Sequence, residues 1–205
     1  MKKKKDCPHC DKDSFALEQP LKETENFRVV CDVHPIIEGH ILIIPKEHIS
    51  CIGEYNSKLL KEFDDLYLEI TKFLKLTYGK VSSFEHGVIG QTVFHSHTHL
   101  IPYSGKPESI VSEGLKYLIK LDKISDLKEI FKKDRKYLFF SIGKDLWAVD
   151  VSIGKPRFFR DRFAIALGKP ERANWKQMRA NKSIMELVGL EIKNLKKKWG
   201  NHSFR

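Results

Sequence analysis

Three histidines at alternate positions, His95, His97 and His99 in HSHTHLIP (95–102), concentrate imidazole in a chain that has nine histidines among 205 residues. Imidazole titrates near neutrality and can serve as a metal ligand, a proton carrier or a nucleophile. On a helix, residues two apart point about 200° away from each other, and the rings would scatter. On a strand they form one row, about 7 Å apart, with Ser96 and Thr98 facing the other way. The flanks QTVF and LIP are β-branched and apolar, and Pro102 ends the run, which predicts a strand. Such a row supports two chemistries: ring nitrogens converging on a metal, or a central ring that attacks while its neighbours orient it.

Cys7 and Cys10 in CPHC have half the donors of a four-coordinate metal site, with His9 between them as one candidate for a further ligand. Thiol redox exchange is the other chemistry open to this pair. Cys31 and Cys51 read as buried or incidental thiols, and four cysteines are too few for a disulfide framework in a chain of this size.

The elements that must position these groups are legible in outline. FRVVCDV (27–33) and GHILIIP (39–45) read as strands, the second buried on both faces, joined by a short HPIIE turn. From Lys58 to Thr77 apolar residues recur at helical spacing, with Asn56 or Ser57 as cap and Gly79 past the end. VSSFEHGV (81–88) and TVFHSHTHLIP (92–102) read as antiparallel strands joined near Gly90. The expected class is α+β: an antiparallel sheet with a long helix.

Beyond a polar segment at 104–109 the pattern changes. EGLKYLIKL and DLKEIFKK read as short helical pieces and KYLFFSIGKDLWAVDV (136–151) as a hairpin turning at Gly143. PRFFRDRFAIALGKP (156–170) and NKSIMELVGLEIKNLKKKWG (181–200) read as helices. Residues 1–105 are therefore expected to carry the site, and 106–205 to form a C-terminal extension packed on them.

The apolar share of 41% and charged share of 31% are those of a soluble globular protein. No apolar run approaches a membrane span and no apolar core follows the N-terminal lysines, so the expected location is the cytoplasm. The net charge of +10, concentrated in KKKK (2–5), KKDRK (132–136) and KNLKKKW (193–199), attracts polyanions but names no substrate.

HSHTHLIP resembles the signature of the histidine-triad (HIT) family, and DVHPIIEGHILIIPKEHIS (32–50) resembles the family's other marker, in the same order and separated by the expected helix. The resemblance covers about residues 7–102. It implies a nucleotide hydrolase or nucleotidyl transferase, acting on a dinucleoside polyphosphate, a nucleoside phosphoramidate or a similar conjugate. In that reading His97 attacks the α-phosphate and His99 donates to its oxygens. Gln91 and Thr92 contact phosphate, Asp32 holds the ribose, and His40 supports the triad. Apolar residues around Val29 and Val30 would line the base pocket.

FEHG (84–87) departs from the better-known branches, and neither Glu85 nor His86 is assigned a step. The resemblance also implies a structural zinc held by Cys7, Cys10, His48 and His95, and a homodimer formed through the helix and an edge strand. Processing of RNA or DNA ends is the second enzymatic reading. A nucleotide- or RNA-binding adaptor without turnover is the third.

Overall fold

The computed structural model describes residues 3–202, so Lys2 of the first lysine run lies outside the described residues. Its strands are β1 (Pro20–Glu23), β2 (Phe27–Cys31), β3 (Ile41–Pro45), β4 (Ser82–Gly87), β5 (Thr98–Ile101), β6 (Leu118–Leu121), β7 (Tyr137–Ile142) and β8 (Asp145–Val149). They form one antiparallel sheet in the order β1-β2-β3-β5-β4-β7-β8-β6. The helices are α1 (Ser57–Tyr78), α2 (Leu127–Asp134), α3 (Phe158–Ala166), α4 (Trp175–Ala180) and α5 (Lys182–Gly200). The fold class is α+β, as expected. No described helix is long and apolar enough to cross a membrane.

Side-chain alternation sorts the sheet into two faces. On one, α1 buries Phe63, Leu66, Ile70 and Phe73 against Val29, Ile41, Ile43 and Leu100. Each such side chain stabilises the fold by about 2 kcal/mol relative to exposure. Asn56 caps α1 by accepting from the Leu59 N–H at 2.9 Å, and Gly79 closes it in the left-handed region at φ 75°. On the other face α3 packs Phe158, Phe159 and Phe163 onto Phe84, Ile101 and Phe140. The histidines open beside α3 on this second face.

The β2–β3 turn is closed by the Asp32 N–H donating to the His40 carbonyl at 3.0 Å. Gly39 sits there at φ +91°, and a Cβ would lie 2.6 Å from the Pro102 ring. The turn thereby brings Asp32 and His40 to one end of the sheet. Leu42, two residues beyond His40, pairs with His99.

Several local expectations change. EGLKYLIKL contains one 3-10 turn, Leu115–Tyr117, and then β6, an edge strand paired with β8; its leucine spacing imitated a helix. β1, with Pro20 as its first residue and half-exposed side chains, carries no apolar alternation to read. The expected strand over 92–102 is hydrogen-bonded as a strand only from Thr98 to Ile101. α3 begins at Phe158 because Arg157 takes up the left-handed region at φ 60°.

The sheet runs unbroken past residue 105. β4 would end a sheet made by the earlier strands alone, but β7 pairs with it along six residues. That edge is therefore occupied by the chain itself.

Candidate active site

The three alternate histidines do not form one row. His99 lies on β5, whereas His95 and His97 sit on an irregular segment where the His95 N–H bonds the Val93 carbonyl and the Ser96 N–H bonds Ile49. The His97 and His99 rings meet edge to face, with centroids 5.0 Å apart, in one pocket. The His95 ring lies instead among Cys7, Cys10 and His48. His95 thus meets His97 through its backbone carbonyl and not through its ring, so the expected row of three rings on one strand face is not formed.

Hydrogen bonds fix the tautomers. His97 Nδ1 lies 2.6 Å from the His95 carbonyl, which can only accept, so Nδ1 carries the proton and Nε2 keeps its lone pair. His40 Nδ1 accepts from the Ile36 N–H at 3.1 Å, so His40 Nε2–H donates to His99 Nδ1 at 2.8 Å. That leaves His99 Nε2 as a donor. His99 stacks on Phe84 at 4.2 Å and 13°, and Phe84 stacks on Phe163 of α3 at 5.1 Å. The site therefore pairs a nucleophilic nitrogen with a neighbouring N–H donor.

Burial keeps these rings neutral. It lowers His97, and lowers His99 well below the usual range; it brings His40 to about 4 and His86 to about 3, against an ordinary 6.5. Rings so depressed protonate first in the unfolded chain, which then binds more protons, so stability is lost as pH falls below about 6.5. Each ring contributes a slope of about 1.4 kcal/mol per pH unit. Glu85, pushed up to about 7 by burial, acts in the opposite sense between its ordinary 4.5 and 7, but the lowered rings outnumber it. Urea titrations from pH 7 to pH 5 are expected to show falling stability, and a flat profile would contradict the neutral assignment.

Asp32 lies in the same pocket. Burial would raise its carboxyl, but His40, the Arg160 guanidinium and the His34 N–H hold it well below the usual carboxylate range. Its oxygens accept from the His34 N–H at 2.8 Å and from Arg160 Nη1 at 3.1 Å. Arg160 on α3 also donates to the carbonyls of His34 and Ala173, so the extension locks the turn. Arg160→Ala would strand a buried carboxylate and is expected to cost about 3–5 kcal/mol in urea denaturation, with Asp32→Asn/Arg160→Met recovering part of it.

Other expected contacts divide. Thr92 lines the pocket. Gln91 instead donates to the Ser50 carbonyl at 2.8 Å, and its Oε1 is buried without a partner among the described residues. Val29 lies in the α1 core and Val30 packs with Leu17, Leu42 and Ile44; Phe15, Ala16, Val33 and Leu42 wall the pocket in their place. Trp175 also lines the pocket, with ring centroids 5.6 Å from His34 and 6.4 Å from Phe15. His86 faces the pocket and accepts from the Phe159 N–H at 3.2 Å. Glu85 faces α1, accepting from Ser96 Oγ at 2.6 Å and from Tyr137, and so fixes the residue between His95 and His97.

Arg160 and Trp175 also line the pocket, and the sequence reading did not assign them; His9, read from the sequence as a candidate metal ligand, lines the pocket and stands outside the four clustered donors. The FFRDRF run hinted at Arg160 through its charge within an apolar helix.

One donor atom from each of Cys7, Cys10, His48 and His95 lies within 4.8 Å of the others. Cys7 and Cys10 Sγ each lie 3.5 Å from His95 Nδ1, and Cys10 Sγ lies 3.4 Å from His48 Nδ1. Metal–sulfur and metal–nitrogen bonds of ordinary zinc length put sulfur and nitrogen about 3.6 Å apart in a tetrahedron. His95 Nε2 donates to the Pro45 carbonyl at 2.9 Å, which leaves Nδ1 as the ligand atom. The four residues fit a tetrahedral metal. Asp32, His40 and His99 also cluster, but Arg160 already balances that carboxylate.

The HIT domain model matches residues 17–106. "Protein hit" of Bacillus subtilis is 30% identical over 88 residues, covering 41% of this chain and 61% of that protein. Adenosine 5'-monophosphoramidase HNT1 of Candida albicans is 30% identical over 122 residues, 56% of this chain and 80% of the enzyme. The crystal structure of a HIT family member from Bacillus subtilis is 28% identical with a TM-score of 0.39, over 43% of this chain and 65% of that one. The chain thus spans about three fifths of the Bacillus protein, and residues beyond 106 lie outside the HIT model's match. With the two family markers, the histidine site and four fifths of a homologous enzyme aligned, the chain belongs to the HIT family.

Proposed function

We propose that this chain is a nucleotide hydrolase or nucleotidyl transferase that works at an α-phosphate through a nucleotidyl-histidine. The observation that carries the reading is the bond from His97 Nδ1–H to the His95 carbonyl, which leaves the Nε2 lone pair in the pocket. Nε2 forms a bond to phosphorus as the bond to the leaving group breaks, and the leaving group takes that electron pair. His99 Nε2–H donates to the phosphoryl oxygen as negative charge builds. In the second step water or another acceptor bonds to phosphorus and loses its proton to solvent, while the P–N bond breaks and returns its electron pair to His97 Nε2. The HNT1 match supports hydrolytic chemistry of this kind.

Phe15, Ala16 and Leu42 form the apolar wall for the base, and Trp175 covers it. A groove adjoins the pocket, sharing Phe15, Thr92, Arg157 and Trp175 with it and adding Lys4 and Lys176 against one acid, Asp6. Its cations favour a leaving group rich in phosphate, as in a dinucleoside polyphosphate, over a small amine. A nucleic-acid end meets the same description, and steep loss of affinity with salt distinguishes it.

Zinc fits the four Cys and His donors and would act structurally, tying the N-terminal turn to the strand that leads to His97. Incubation with α-phosphate-labelled diadenosine tetraphosphate and with labelled AMP phosphoramidate is expected to leave acid-labile label on His97. Absence of label with both, in protein that still binds AMP, leaves the adaptor reading.

A further inference from the structure

His9 lies inside the CPHC turn, yet it is not among the four clustered donors. Its ring is 4% exposed and forms part of the wall of the pocket that holds His97 and His99. It stands edge-on to His97 with centroids 4.9 Å apart, matching the 5.0 Å between His97 and His99. His97 is thus flanked by an imidazole on each of two sides.

His9 Nδ1 is buried with no hydrogen-bond partner among the described residues. Buried polar atoms in folded proteins nearly always have a partner, so this one calls for a ligand. The backbone around it is held in one shape. The N–H groups of Cys10 and Asp11 donate to the Cys7 carbonyl at 2.9 and 3.1 Å, and Arg28 Nη1 donates to the His9 carbonyl at 3.4 Å. An oxyanion is the ligand this environment suits, because the wall also carries the His99 N–H donor and its one carboxylate, Asp32, is balanced by Arg160.

We propose that His9 is a phosphate-contacting residue, a third imidazole at the α-phosphate that His97 attacks, seated there by the cysteine turn. This rests on the reading of His97 as nucleophile and adds to it a residue outside the triad. A hydrogen bond to an ionised phosphate is a strong one, and its loss weakens binding by about tenfold or more.

The test uses AMP and adenosine as probes, so that the phosphate is the single difference. In the wild-type protein, AMP is expected to shift the His9 ring resonances in NMR spectra, and adenosine is not. His9→Phe keeps the ring volume but loses its nitrogens, and is expected to weaken AMP binding about tenfold more than adenosine binding, with zinc content and Tm retained. His9→Asn, which keeps a donor, recovers part of the loss. Equal losses for the two probes, or resonances unmoved by AMP, overturn the proposal, and the NMR arm needs no variant to fold. Label on His97 with His9 unmoved defeats this inference alone; no label on His97 with His9 shifted defeats the nucleophile reading alone.

Discussion

Replacing His97 with alanine is expected to lower kcat by roughly 10⁴-fold or more while AMP affinity stays within about tenfold of the wild type. The asymmetry follows from what this ring does. Its Nε2 lone pair would form the bond to phosphorus, whereas Asp32, His99 and the Phe15–Leu42 wall would hold the ground state. Removing it leaves the binding groups in place and deletes the covalent path. His97→Gly gives a sharper form of the same test, since added imidazole can enter the space and attack in the ring's stead. Turnover restored by imidazole, without label on the protein, identifies the missing group as the nucleophile. Unchanged turnover in His97→Ala would remove the proposed reaction altogether.

The sequence made the site legible where chemistry is local and obscured it where partners are distant. The alternation of His95, His97 and His99 reads as a strand because period-two spacing is the main strand signal. That reading holds from Thr98 to Ile101. It fails one turn earlier, because His95 meets Cys7 and Cys10, which lie 88 and 85 residues away along the chain, and strand geometry yields to those contacts. Family resemblance, not periodicity, pointed to His95 as a ligand, and its ring clusters with Cys7, Cys10 and His48. Arg160 and Trp175 stand far along the chain from the Asp32 turn they serve, so no local pattern tied them to it. Glu85 and His86 could not be separated as types, but strand alternation sends one to the α1 face and the other to the pocket.

The fold follows the same logic. α1 was legible because its cap, its apolar stripe and Gly79 agree over six turns. β6 and β1 were not, since each is a four-residue edge strand whose pairing is decided by a neighbour that the local sequence does not name. The hairpin turning at Gly143 was readable, but its attachment to β4 was not. That attachment bears on the expected homodimer, because the free edge of β4 is covered by the chain's own β7.

On the zinc reading of the Cys7, Cys10, His48 and His95 cluster, treatment with a chelator, or substituting Cys10→Ser, is expected to lower Tm by roughly 10 °C or more and to reduce turnover with it. The four donors come from the N-terminal turn, from the segment between β3 and α1, and from the residue that orients His97. Cross-linking points 38 to 88 residues apart removes a large loop entropy from the unfolded chain, so releasing them costs stability. Turnover falls for a different reason: a His95 ring freed from the cluster no longer fixes the carbonyl that sets the His97 tautomer. Returning zinc to the chelated protein should restore both together, as followed by melting curves and by zinc content. If Cys7 and Cys10 were instead a redox pair, Tm would respond to reductant and oxidant and ignore the chelator. Chelated protein that keeps its Tm and its turnover would exclude the metal centre, leaving the four donors as an ordinary buried cluster.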